Sequence, residues 1–113
     1  MYQDKVVLCG ANSYEEKYYL NPDFDNLPQH IKDELKVMCV LYVNDVGGVL
    51  TLVYDEDGKL EFEVVAEEFD PTFDEIGSRL KIKQIQMDEH KQDLLEQLEL
   101  YYKVFFLGED LDD

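Results

Sequence analysis

A chain of 113 residues with 10 lysines and arginines against 27 aspartates and glutamates carries a formal charge of −17, yet 45% of it is apolar, including eight tyrosines and six phenylalanines. That length suits one domain with a buried interior, and the apolar content excludes intrinsic disorder. The charge repels phosphate backbones and anionic headgroups, which argues against nucleic acid and membrane as direct partners, while it attracts basic proteins and cations.

Val6-Val7-Leu8-Cys9 reads as a short buried strand, Gly10-Ala11-Asn12-Ser13 as a turn, and Glu15 to Leu20 as a second strand, together a hairpin. Asn21-Pro22-Asp23 breaks the chain, because proline donates no ladder hydrogen bond and its neighbours favour turns. A helix follows, with Asp25 or Asn26 as N-cap, Pro28 in its first turn, and Ile31, Leu35, Met38 and Tyr42 at helical spacing. Val37, Val40, Leu41 and Val43 are apolar too, so its second half is expected to be buried round most of its circumference, under other elements or in a dimer interface.

Gly47 and Gly48 end that helix and open a second hairpin. Val49 to Tyr54 is rich in β-branched and aromatic residues, and Leu60, Phe62, Val64 and Ala66 alternate with Glu61, Glu63 and Glu67 as a half-exposed strand requires. Between them, Asp55-Glu56-Asp57-Gly58-Lys59 supplies the Asp-Gly dipeptide of tight turns. Phe69-Asp70-Pro71 punctuates again, and Phe73 to Leu107 reads as mostly helical, with Leu94, Leu98, Tyr101 or Tyr102, and Phe105 as its stripe and Gly108 as its terminator. Arg79-Leu80-Lys81-Ile82-Lys83 alternates with period two, which leaves a short edge strand or a loosened turn open there. The acidic tail, 109–113, is expected to be disordered.

Residues 5–46 and 47–107 thus each spell strand, strand, helix. This predicts a single α+β domain over 1–108, ββαββα, with a four-stranded antiparallel sheet and two helices packed on one face. The open face or an edge of such a sheet would invite a homodimer.

Residues that could carry chemistry are few. Cys9 and Cys39 lie thirty positions apart among aliphatic neighbours and read as buried free thiols. His30 and His90 stand at no zinc-ligand spacing from a cysteine or from each other, and a Cys9 nucleophile with His30 as base lacks an oxyanion-hole motif. Asp55, Asp57 and Gly58 fail as a calcium loop, because the register puts Val53 and Val64 where carboxylates are needed. Gly47-Gly48 is not followed by the residues of a phosphate loop. Arg79, Lys81 and Lys83 are expected to pair with the surrounding acidic surface. The acid pairs Glu15-Glu16 and Glu67-Glu68 follow from composition, and Tyr18-Tyr19 and Tyr101-Tyr102 read as core with a hydroxyl at its boundary. No catalytic, cofactor-binding or metal-ligating residue is assigned, and no cofactor is expected.

The stretches Lys5 to Ser13, Ile31-Lys32-Asp33-Glu34-Leu35 and Phe105 to Asp110 resemble a family of short, acidic, uncharacterised proteins from clostridia-type bacteria. The resemblance implies a bacterial cytoplasmic protein and carries no activity or binding residue. Four apolar residues before Gly10 are too few for a signal-peptide core, which agrees with a cytoplasmic location. The expectation is a noncatalytic interaction or regulatory module, dimeric, with a protein partner or a second copy of itself. The alternative is a small-ligand binder or enzyme whose carboxylate and tyrosine site is assembled from distant residues.

Overall fold

The computed structural model describes residues 5–109. Seven regular elements run in the order β1 (Val6–Asn12), β2 (Lys17–Leu20), α1 (Gln29–Val46), β3 (Val49–Tyr54), β4 (Leu60–Val65), α2 (Glu75–Met87) and α3 (Glu89–Phe105), with a 3-10 turn at Pro22–Phe24. The four strands form an antiparallel sheet in the order β2-β1-β3-β4, so the α+β class and the sheet hold. The topology differs in having three helices, not two.

The extra helix arises at Asp88. Its backbone is extended (φ −75°, ψ 122°), which ends α2, and its carboxylate accepts the Lys91 N–H, which caps α3. One residue therefore turns the expected long helix into two. Within α2, Ser78, Ile82 and Ile85 face inward at intervals of four and three, so Arg79 to Lys83 is helical and its period-two pattern sets no strand.

Two strand boundaries also move. Gly10, Ala11 and Asn12 belong to β1, not to a turn, because β1 must reach far enough to pair with both β2 and β3. A Cβ on Gly10 would stand 3.1 Å from the Leu50 carbonyl oxygen, so the missing side chain serves the sheet. The reversal falls later, at 13–16, where Glu16 takes φ 52° and β2 begins at Lys17. A bulge between Val7 and Cys9 lets the consecutive Leu8 and Cys9 both be buried.

Helix α1 starts at Gln29 behind Pro28, not behind Asp25 or Asn26. The capping group upstream is Asn21, whose side chain accepts the Asp23 N–H and sets the 3-10 turn that drives Phe24 into the core. Gly47, at φ 81°, closes α1 as expected. The β3–β4 turn is also as expected: Gly58 takes φ 82° and the Asp55 carboxylate accepts the Asp57 and Lys59 N–H groups. The tail expected to be disordered lies outside the described residues except for Glu109, whose N–H donates to the Lys103 carbonyl.

Inward residues of β1 and β3, among them Cys9, Ala11, Leu50, Leu52 and Tyr54, meet Ile31, Leu35, Cys39 and Tyr42 of α1 and Leu94, Leu98 and Tyr102 of α3. Leu60, Phe62 and Val64 of β4 pack half-buried against this core, while Lys5 binds Glu61 and Glu63 at 3.0 and 2.8 Å. At one end of the core Tyr102 stacks on Tyr54 with centroids 4.1 Å apart and on Phe106 at 5.1 Å, and Phe24 closes the stack. Tyr54 donates to the Leu98 carbonyl and Tyr42 to that of Ser78, so the core hydroxyls tie β3 to α3 and α1 to α2.

Cys9 and Cys39 lie fully buried with their sulfurs 3.9 Å apart. The hydrogen bond to Cys9 and then burial push the Cys39 thiol up, away from the reactive thiolate. Neither thiol is therefore expected to react with a thiol reagent in the native protein at pH 7, and both should react after unfolding in guanidinium. Rapid native labelling would contradict this placement.

Candidate functional site

The structure scatters most residues that invite a chemical reading. Cys9 is in the core against Cys39, whereas His30 is on the exposed side of α1, so the nucleophile-and-base pairing is not built. His90 is exposed and meets Glu34 at 3.1 Å. Arg79 pairs with Glu75 at 3.0 Å and Lys81 with Asp45 at 2.6 Å, as the acidic surroundings lead one to expect, whereas Lys83 makes no ion pair among the described residues. Gly48 packs between the Val65 carbonyl and the Phe73 ring, which gives it a structural role. Strand alternation splits Tyr18 from Tyr19: Tyr18 points inward and burial raises its pKa, while Tyr19 is exposed. Among the described residues, no three histidines, cysteines, aspartates or glutamates gather in a way that could hold a metal ion. No described helix is long and apolar enough to cross a membrane.

The two carboxylates with shifted pKa values, Asp70 and Asp88, are both lowered. For Asp88 the largest cause is the Lys91 N–H that it caps. For Asp70 it is the Tyr14 hydroxyl, followed by the Thr72 hydroxyl and N–H. Tyr14 also accepts the Glu67 N–H, so one phenol fixes the loop after β4, in which Phe69 takes φ 66°. A carboxylate whose folded pKa lies below its ordinary 3.8 stabilises the fold at neutral pH, and that contribution is lost as pH falls through the folded value. Asp70→Asn should therefore melt below the wild type at pH 7, and the gap should close as the pH drops under 3.8. A gap that is constant with pH would contradict it.

The helical side presents a different kind of feature. There α1 and α3 run side by side in opposite senses, with Ile31 near Leu98 and Tyr101, and Leu41 near Leu94. Between Leu27, Ile31, Leu100, Tyr101 and Phe105 lies a cavity of about 330 Å³. A second, also about 330 Å³, lies between Val37, Met38, Leu41 and Leu94. A third, of about 270 Å³, continues past Met38 and Leu41 to Asp45, Lys81 and Ile85. Val37 and Leu41 are each 57% exposed, so other elements of the chain do not enclose this side of α1, and of the two expected covers only a second copy or a partner is left for it. Leu100 and Phe105 are exposed as well. In the second and third cavities four carboxylates, those of Asp33, Glu34, Asp45 and Asp88, outnumber the two ammonium groups of Lys81 and Lys91.

The sequence reading did not separate Val37 and Leu41 from the other apolar residues of α1, all of which it expected to be covered by other elements or by a second copy. Their signal was available: they sit one position before Met38 and Tyr42, about 100° round the helix from the buried stripe. The outer face of the sheet is also open, with Val7, Tyr19 and Val65 exposed beside the cluster of Lys5 with Glu61 and Glu63, and α2 exposes Ile76, Leu80 and Met87.

A family model described as a family of unknown function (DUF6145) matches residues 5–110, and the chain belongs to that family. No curated protein and no solved structure matches the chain.

Proposed function

We propose that this member of the DUF6145 family is a noncatalytic interaction module of a bacterial cytoplasm whose working surface is the helical side, where α1 meets α3. The observation that supports it most is the run of apolar cavities along that seam, walled by side chains as exposed as Val37 and Leu41. Exposing large apolar groups in a line forgoes burial worth roughly 1.5–3 kcal/mol per side chain, a cost that a partner recovers by covering them. The rival reading, a carboxylate and tyrosine site for a ligand or reaction, calls for a carboxylate raised by burial. The shifted carboxylates are lowered instead, and the raised tyrosines owe their shifts to core burial and to Asp70. Self-association, in this reading, uses the outer face of the sheet through Val7, Tyr19 and Val65.

The test is site-specific photo-crosslinking in the cells that make the protein. A benzophenone side chain at Leu41 or Leu100 should yield adducts with a different protein, and one at Tyr19 or Val65 adducts of the chain with itself. Absence of adducts from both Leu41 and Leu100 would overturn the assignment of the helical side.

A further inference from the structure

Along α1, Asp33, Val37, Leu41 and Asp45 follow one another at intervals of four. Residues so spaced form one ridge that winds about 40° round the helix at each step, and this ridge reads acid, apolar, apolar, acid over about 18 Å. Both apolar members are 57% exposed, and Leu94 of α3 forms the opposite wall of the groove beside them. Asp45 shares its carboxylate with Lys81 yet its side chain stays 55% exposed, so a further cation can reach it.

We infer that this groove docks an amphipathic helix of a partner protein, apolar in the middle of its contact face and basic at both ends. The inference rests on the reading of the helical side as the working surface and adds the chemistry of the occupant. Two parallel-sided helical walls accept a third helix through side chains spaced three and four apart. The carboxylates at the two ends of the line complement basic ends, and the charge of −17 on the chain steers a basic segment toward it from a distance. A second copy is disfavoured by the same pattern. Antiparallel pairing of α1 with its own copy would set Asp33 against Asp45, like charge against like, at both ends of the contact.

The probe is a synthetic helical peptide of about five turns, leucines at i, i+3, i+4 and i+7 and arginines at its ends, followed by fluorescence anisotropy against the intact chain. It should bind at least about tenfold more tightly than a scrambled peptide of the same composition, and Val37→Glu or Leu41→Glu should weaken it by about tenfold or more. Asp33→Asn with Asp45→Asn should weaken binding and flatten its salt dependence, while Tyr19→Ala leaves it unchanged. Circular dichroism of each variant confirms that it is folded, which these exposed positions permit. Equal binding of the scrambled peptide, or no loss on Leu41→Glu, would overturn the inference. So would self-association of the chain that Leu41→Glu abolishes in sedimentation, since a second copy would then fill the groove. If the peptide fails while Leu41 crosslinks to another protein in cells, the interaction reading stands and only the basic helix falls.

Discussion

Tyr54→Ala is expected to destabilise the protein by about 3–5 kcal/mol, in the range measured for removing a buried aromatic ring from a core. A domain of this length holds about 5–15 kcal/mol in all, so the variant should be largely unfolded at moderate urea, with its circular-dichroism midpoint far below that of the wild type. The size of the effect follows from position. Tyr54 is fully buried at the end of β3, its ring stacks on Phe24 and on Tyr102, which also stack on each other, and its hydroxyl donates to the Leu98 carbonyl at 2.9 Å. The side chain thus joins the sheet, the 3-10 turn and α3. Tyr54→Phe keeps the ring and removes one neutral hydrogen bond, for which about 1 kcal/mol is expected. If the two variants prove equally unstable, the hydroxyl rather than the stack holds α3 to the sheet.

Gly48→Ala is expected to cost about 2–4 kcal/mol, which combines a disfavoured backbone with overpacking. Gly48 has φ 78°, and an added Cβ would stand 2.8 Å from the Val65 carbonyl oxygen and 3.0 Å from the Phe73 ring. The carbonyl belongs to the sheet, so it cannot withdraw without loosening the β3–β4 pairing. Gly108 provides the comparison, since it has φ 70° with nothing among the described residues within 4 Å of the same added atom. Gly108→Ala should therefore cost only about 1 kcal/mol, the backbone share alone, and the difference in urea midpoints measures the contact. Equal losses at the two glycines would show that the close approach at Gly48 has no energetic weight.

What could be read from the sequence was local. The second hairpin announces itself because Asp55 and Gly58 fix the turn within five residues and the alternation of Leu60, Phe62 and Val64 with glutamates fixes which side faces in. The end of α1 is equally plain, since Gly47 takes a conformation that other residues avoid. The division at Asp88 was harder to see. No proline or glycine marks it, and the capping aspartate is flanked by the helix formers Gln86, Met87, Glu89 and Lys91, which carry the helical pattern through it. Its choice depends on α3 turning back toward the second hairpin, where Tyr54 and Leu60 meet Leu98 and Glu99 across 44 and 39 positions. The β1 extension fails locally for a similar reason: Gly10 to Asn12 has turn chemistry, and pairing with β2 on one side and with the distant β3 on the other holds it extended.

The candidate surface was visible in composition and hidden in arrangement. Val37 and Leu41 stand in the sequence as plain apolar helix residues, and only their offset from the Met38 and Tyr42 stripe, not their type, sets them apart as uncovered. The residues that drew notice, Cys9, His30, His90 and the paired glycines, were noticed for their chemical versatility, and folding contacts or solvent account for each. An account of function for this chain therefore turns on surface shape and charge more than on reactive groups.

The most direct measurement is amide mapping of the isotope-labelled chain by nuclear magnetic resonance during titration with the basic amphipathic peptide. The account predicts saturating shifts along α1 and α3 around Val37, Leu41 and Leu94, with β2 and the outer face of the sheet unmoved. Shifts concentrated on Tyr19 and Val65, or none at peptide concentrations well above the chain's own, would contradict it.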